Sequence, residues 1–519
     1  MATEGRWGEM ATAPEKVGIT KVLAGAHWRP RIGVLLAVVS FFIYSILVIS
    51  LPQVRDTPYA CEQSSFAAAV SNIVYGSRIG SMYTGVFDLF TTHFTEPLPQ
   101  TLEEIRAELP AQPVGELSPT TIDGNGVGYP LVATAAFRLF GFHWWAPIAV
   151  MLILMAASMA AFLRRFPPIL VTLYFSGLTA MLFSVWIWDP TLRLNIPIGG
   201  IRYFSLVGIL PTFHILLSIM ERQPFRAATP LVIQTIILMV AVLVRGSAVT
   251  AFIAIVVVGL AIARDHTRRP AVVRKLATIG VAGLTVVVAL ALIVSPQWLT
   301  TGRFNTIIWT RALEGLGVNP SLPIDELNKM YHCEKYVPDG IPPMIGDQGA
   351  GCIWLAYVIE HNIPEHALWD KTFNAEFEAV MRSAFFRIAT KFPWLTLETF
   401  VYYKPKQIID SIEAALQFDL SYYSPLSIVL LVTSLVISLF AATTAVEIGR
   451  ETAVVLLAML FNTAAYLAAY ANVFTAADMS LYCVILACLT LGAIFSRGTK
   501  FARIIGKRVA FWLRSPALR

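Results

Sequence analysis

Residues 32–63 read IGVLLAVVSFFIYSILVISLPQVRDTPYACEQ. The first part is an uncharged apolar run of about twenty residues, the length a helix needs to cross the hydrocarbon core of a bilayer. The second part breaks abruptly into proline, arginine and acids, so the chain leaves the apolar phase at Pro52. This polar stretch continues to about residue 128 and carries Asp56, Glu62, Asp88 and Asp123. A long connection costs ordering entropy, and one kept without a structural purpose is commonly functional. Composition points the same way. The chain is 56% apolar and only 14% charged, where a soluble domain is about a quarter charged. That excludes an ordinary soluble globular protein and indicates an integral membrane protein. The net charge of +6 is no nucleic-acid footprint, because the basic residues lie in short loops and at the two ends, where they set topology.

Ten segments have the length and character of spanning helices: 32–51, 144–163, 168–187, 201–220, 227–244, 247–263, 276–295, 424–445, 452–471 and 479–496. Lys16, Lys21, Arg29 and Arg31 precede the first. Placing them in the cytoplasm puts Arg164–Arg165, the loop from Glu221 to Arg226, the loop from Arg264 to Lys275 and the tail from residue 497 on the same side. All the strongly basic short loops then lie inside, as the positive-inside rule requires. The first thirty residues are too polar for a signal peptide, and no small-residue cleavage site follows the first apolar run, so that run is expected to be retained. The expected organisation is a cytoplasmic arm over 1–31, a first span over 32–51 and an extracytoplasmic loop over 52–143. Spans two to seven follow over 144–295, then a second extracytoplasmic segment over 296–423, three spans over 424–496 and a basic cytoplasmic tail over 497–519.

Two further pieces are expected at the outer surface. Residues 129–142 are apolar but too short to span and are interrupted by Arg138, which suits a helix lying along the surface. Residues 393–417, with Trp394, Tyr402, Tyr403, Lys404 and Lys406, have the aromatic and lysine content of the headgroup level. Of the five cysteines, Cys483 and Cys488 fall in the last span, whereas Cys61, Cys333 and Cys352 fall outside, where oxidation is permitted. Cys333 and Cys352 form the expected pair, with Cys61 able to replace either.

No Walker loop, zinc motif or dinucleotide fingerprint is present, and the string Asp123-Gly124-Asn125-Gly126-Val127-Gly128 precedes an apolar helix, not a strand-to-helix turn. The order of parts is informative instead: one span, a long outer loop with carboxylates, a surface helix ending in RLFG (Arg138 to Gly141), a compact set of spans, then a large outer segment. Within the loop, Glu62-Gln63-Ser64-Ser65-Phe66 runs on to Gly76, an acid followed by an aromatic four residues on and a glycine fourteen on. This pattern resembles the membrane-embedded GT-C glycosyltransferases that use polyprenyl-phosphate sugars, such as the protein mannosyltransferases and the lipid A aminoarabinose transferase. The resemblance is recognisable over the first two hundred residues or so and rests on topology beyond them. It implies an all-α polytopic fold with about ten transmembrane helices and two large extracytoplasmic loops, in a bacterial inner membrane with both termini cytoplasmic. It also implies a polyprenyl-phosphate-linked sugar as donor, a glycan, lipid or protein as acceptor, and Glu62 in the catalytic-carboxylate slot. The family's usual acidic pair is here Glu-Gln, and Asp56 competes for the slot.

Inverting sugar transfer needs one carboxylate within hydrogen-bond reach of the acceptor oxygen and positive charge for the departing lipid phosphate. Glu62, Asp56, Asp88 and Asp123 are the candidate bases, each weighed against an ordinary solvated loop acid. Asp88 lies among apolar neighbours, and the glycines after Asp123 would let a sugar approach the backbone. For the phosphate, the candidates are cations that depart from the positive-inside pattern: Arg245 in a very short outer turn, Arg193 and Arg202 around another, and Lys404 and Lys406 at the interface. A cation at the membrane boundary is a functional candidate by default, with snorkelling to headgroups as the plain alternative. No metal site is indicated, since His361 and His366 stand five apart and not four. A divalent ion bound by scattered acids stays open. The rival functions are a transporter or flippase of lipid-linked glycan, a ligase or polymerase of surface polysaccharide, and a non-catalytic assembly subunit. Transporters favour charged or broken helices at mid-membrane and internal repeats, whereas these spans carry few charges at their centres and no visible repeat.

Overall fold

A computed structural model describes residues 19–50, 62–94, 102–119, 128–143, 145–184, 198–201, 203–221, 228–294, 308–332, 347–363, 373–417, 420, 423–444, 448–468 and 478–494. Asp56, Asp123, Arg193, Arg202, Cys61 and Cys333 lie outside the described residues.

The chain opens with α1 (Ile19–Ser50). Leu35, Phe42, Ile46 and Ile49 are exposed along it, while Ala37, Tyr44 and Leu47 are buried. The two sets follow helical spacing, so one apolar face packs inward and the other is left for lipid. Next come α2 (Gln63–Tyr75), β1 (Ser81–Tyr83), α3 (Thr84–Phe94), α4 (Leu102–Ala107), β2 (Leu117–Pro119) and α5 (Gly128–Phe140). The strands pair antiparallel with Met82 opposite Ser118, a small departure from the all-α expectation. Helix α5, expected along the surface, buries Tyr129, Val132, Ala133, Ala136 and Phe137 and packs on α2. Its exposed Arg138 bonds Asn72 Oδ1 at 2.9 Å, so the charge that interrupts the apolar pattern belongs to the outward face.

The bundle continues with α6 (Ala146–Leu163), α7 (Ile169–Met181), a 3-10 segment (Tyr203–Gly208) leading straight into α8 (Ile209–Met220), α9 (Ala228–Val244), α10 (Val249–Ala263) and α11 (Arg269–Ile293). The centre is the 3-10 segment with α8, of which 94% is buried. Helix α11 lies at the periphery, with Val281, Leu284 and Leu292 exposed.

A helical unit with its own core follows, made of α12 (Ile308–Glu314), α13 (Ile324–Tyr331), α14 (Asp347–Glu360) and α15 (Phe373–Lys391). Leu316, Leu327, Ile353 and Met381 fill it. Glu378 accepts the Trp309 and Thr310 N–H groups at the head of α12, so the carboxylate satisfies amides that a helix start leaves open. Cys352 in this unit is disulfide-bonded, with its partner outside the described residues.

Helix α16 (Pro393–Glu398), a π turn (Thr399–Tyr403) and α17 (Lys404–Ala415) come next. They leave Trp394, Leu397, Val401, Tyr402 and Ile409 exposed. The described bundle ends with α18 (Pro425–Thr444), α19 (Ile448–Ala468) and α20 (Asp478–Ile494).

Each of the ten apolar segments carries a helix. Among the described residues, five stretches are long and apolar enough to cross a membrane: Arg31–Ser50, Ala146–Leu163, Tyr203–Met220, Arg269–Ile293 and Pro425–Ala442. Helices α7, α9, α10 and α20 are apolar but shorter, and α19 opens on Arg450 and Glu451.

Three basic loops meet at one end of the bundle. Arg165 donates to Glu221 Oε2 from Nε at 3.1 Å and from Nη2 at 2.7 Å. The fully buried Lys275 ammonium donates to the carbonyls of Ser218 at 2.6 Å and Glu221 at 3.0 Å. These contacts tie the α6–α7 turn, the end of α8 and the start of α11 together. Each carbonyl that receives Lys275 lies in the last turn of α8 or just past it, where the helix leaves acceptors open and cations are favoured.

Candidate active site

Glu62 stands directly before α2. Its carbonyl accepts the Phe66 N–H at 2.9 Å, but its carboxylate does not cap the helix. The side chain turns instead to a segment 139 residues away, where Oε1 accepts the Ile201 N–H at 2.9 Å. Glu62 is 1% exposed. A carboxylate taken out of water needs such donors, since an unpaired one is expensive to bury.

Phe66 and Gly76, four and fourteen residues on from Glu62, anchor and end the helix that it precedes. Phe66, fully buried, packs against Tyr129 with ring centroids 6.0 Å apart and against Phe137 at 5.6 Å. Gly76 closes α2 in the left-handed region, φ +69°, with its N–H returned to the Asn72 carbonyl and the next N–H, of Ser77, to the Ser71 carbonyl. A glycine is favoured there because a side chain strains that conformation.

Helix α5 connects Glu62 to the first predicted cation. At its head, Tyr129 donates to the Gly199 carbonyl at 2.9 Å, two residues before the amide that holds Glu62. Immediately before Tyr129, Gly128 lies so close to α9 that a Cβ would fall 2.3 Å from both the Leu243 carbonyl carbon and the Val244 nitrogen. Arg245 follows Val244, half-buried, with its own N–H bonded to the Ala241 carbonyl at 2.8 Å. Glu62 and Arg245 therefore belong to the same end of the bundle, opposite to Arg165, Glu221 and Lys275.

The remaining predicted residues are placed differently. Asp88 is exposed on α3, whose Val86 and Phe90 face inward. Lys404 is fully buried, with its ammonium 3.2 Å from the Leu467 carbonyl near the end of α19 and 4.2 Å from the centre of the Phe400 ring. Burial pushes its pKa down to about 7. Lys406 is exposed on α17. Helix α19 also approaches the Arg245 turn, where Thr250 donates to Asn462 Oδ1 at 3.4 Å. Among the described residues, no group of three His, Cys, Asp or Glu side chains could hold a metal ion.

The segment 198–208 is the hub of this end. Gly199, φ +87°, presses on α6, where a Cβ would come within 2.7 Å of Ile148 Cγ1 and 3.2 Å of its nitrogen. The Tyr203 and Tyr44 hydroxyls bond each other at 2.9 Å. Tyr174 donates to the Leu206 carbonyl at 2.8 Å. Ser205 donates to Asp478 Oδ1 at 2.9 Å, and Asp478, at the head of α20, is 3% exposed. Asp478 went unnoticed in the sequence because it borders the last span. The boundary argument applied to arginines holds equally for an acid and would have found it.

No protein-family model matches the chain, and no curated protein matches it. Among solved structures, the apo form of ArnT from Cupriavidus metallidurans aligns with a TM-score of 0.30 and 14% identity, over 90% of this chain and 77% of that one.

Proposed function

We propose that this chain is a GT-C-type membrane glycosyltransferase. It transfers a sugar from a polyprenyl-phosphate donor to an acceptor at the outer face of a bacterial inner membrane. The supporting observation is the buried Glu62 carboxylate, fixed by the Ile201 amide and linked through α5 to Arg245 at the same end of an apolar bundle. Glu62 takes the acceptor's proton as the acceptor oxygen bonds to the sugar's anomeric carbon and the bond from that carbon to the lipid phosphate breaks, and Arg245 faces the charge that gathers on that phosphate. A guanidinium suits this task through two parallel hydrogen bonds. Asp56 and Asp123 are the alternative acids, and Arg202 and Arg193 the further cations, of the same reading. The end that carries Arg165, Glu221 and Lys275 faces the cytoplasm, together with both termini. A base that is 1% exposed meets an acceptor only once the residues packed on it move, and this reading requires that movement.

The test uses purified protein in detergent with defined polyprenyl-phosphate sugars, with sugar release or transfer as the readout. Glu62→Gln keeps an oxygen for the Ile201 amide and so keeps the fold, but removes the base. Turnover should fall by about 10²-fold or more, with donor binding nearly unchanged. Full activity in this variant removes Glu62 from the mechanism. A wild type that is inert on every donor but moves lipid across sealed vesicles makes the chain a transporter.

A further inference from the structure

Residues 198–201 precede the 3-10 turns of Tyr203–Gly208 and belong to no helix or strand. Side chains from separate elements reach segment 198–208 one at a time: Glu62 at the Ile201 amide, Tyr129 at the Gly199 carbonyl, Tyr44 at the Tyr203 hydroxyl, Tyr174 at the Leu206 carbonyl and Asp478 at the Ser205 hydroxyl. Two of these five are buried carboxylates, and they grip the segment four residues apart. Ser205 lies in the 3-10 turns between Ile201 and α8, so its position and that of the Ile201 amide are set together. A buried hydrogen bond to a charged group is among the stronger ones a protein makes. Asp478 also occupies the head of α20, a helix seated on α7, where a Gly177 Cβ would fall 2.5 Å from Leu481 Cδ1. That close seat leaves Asp478 little room to follow a segment that drifts.

We propose that Asp478 is a positioning residue for Glu62, acting through Ser205 and the segment that presents the Ile201 amide. This rests on the reading of Glu62 as the base. Asp478 takes no part in bond making. It holds the donor that fixes the orientation of the Glu62 carboxylate, and it thereby makes the last helix of the bundle part of the catalytic end.

The experiment has two arms in detergent-purified protein, each variant first checked for monodispersity. In the first, hydrogen–deuterium exchange of the Ile201 amide is read at residue level. Ser205→Ala and Asp478→Ala should exchange about tenfold or more faster than wild type, the factor expected for loss of one hydrogen bond to a charged group. Asp478→Asn keeps an acceptor oxygen for Ser205 and should stay near wild type, which also covers the case in which the alanine variant does not fold. In the second arm, with undecaprenyl-phosphate glucose as the probe, Ser205→Ala should lower kcat about tenfold while KM stays within twofold. A merely structural lesion would lower the amount of active protein and leave Ile201 protection intact in what remains. Unchanged Ile201 exchange in both Ser205→Ala and Asp478→Ala overturns the proposal, as does faster exchange with kcat unchanged. If Ile201 exchange responds as expected and the wild type transfers sugar from no donor, the link from Asp478 to Glu62 stands and the glycosyltransferase reading falls.

Discussion

Gly128→Ala is the most demanding test of how the two charged groups are brought to one end. The added methyl would meet the Leu243 carbonyl carbon and the Val244 nitrogen at 2.3 Å, and the Leu243 oxygen at 2.7 Å. These are backbone atoms and cannot swing aside as the end of a side chain can. Ordinary contact begins at 3.4 Å, so α5 and α9 must part by about 1.1 Å, the difference between 3.4 and 2.3 Å. Small residues at helix contacts allow this kind of close approach in membrane bundles, and overfilling one costs roughly 1–3 kcal/mol. The functional effect should be larger. The displaced helices carry Tyr129, bonded to Gly199, and Arg245. A misplacement of about 1 Å at a catalytic constellation costs on the order of 10²-fold in rate. Thermal melting in detergent should show Gly128→Ala below wild type, and sugar transfer should be nearly lost. Gly280→Ala is the matched control. On α11 nothing lies within 4 Å of its Cβ, and an alanine within a helix should gain about 0.5–1 kcal/mol. Wild-type melting and turnover in Gly128→Ala would refute the argument, as would equal harm from both alanines.

Arg245→Lys should keep the fold but weaken use of the lipid donor, and Arg245→Ala should do so more severely, measured as KM and kcat in the same transfer assay. Lys404 tests buried charge through pH. Its folded pKa is lowered to about 7 from the ordinary 10.5, so between these values the unfolded chain holds the extra proton and stability rises with pH. The burial penalty is complete below pH 7 and relieved toward 10.5, and Lys404→Met should flatten that slope in melts across the window. For sidedness, cysteines introduced in 52–128 and in 296–420 should react with an impermeant reagent from outside, and Arg268→Cys should not. External reaction at position 268 would move the proposed site to the cytoplasmic side.

Hydropathy located the helices because a span must satisfy its backbone internally and present apolar side chains to lipid. The resemblance singled out the spacing from Glu62 to Phe66 and Gly76, and in the structure both residues have local roles. One turn of α2 places Phe66 in the core, and a left-handed end asks for glycine. What stayed hidden is pairing at long range. Nothing in the run of α1 says that Tyr44 will meet Tyr203, or that Ser205 will meet Asp478, 273 residues away. The paired strands were missed because each has only three residues, too short for an alternating pattern. Lys404 was expected at the headgroups because aromatic residues surround it in sequence, yet it turns inward to the end of α19. Its exposed neighbours Trp394, Val401 and Tyr402 carry the interfacial character instead.

The hub also bears on the choice between enzyme and transporter. A transporter places non-helical backbone between two half-helices near mid-membrane, so that the site can open to either side. Residues 198–201 are likewise non-helical and rich in polar contacts, but they stand at the head of the central helix, whose 3-10 turns at Tyr203–Gly208 lead into α8 without a break to Met220. At the other end of α8, Glu221 and the Ser218 carbonyl are taken by Arg165 and Lys275. Both ends of the central helix are thus fixed by buried or half-buried polar contacts of opposite kinds, carboxylates at the head and cations at the foot. Releasing either end leaves buried polar groups without partners, at a cost of about 1–3 kcal/mol for each. An alternating carrier would have to meet that cost in every cycle. An enzyme that works at one face can leave both ends of this helix fixed throughout its cycle.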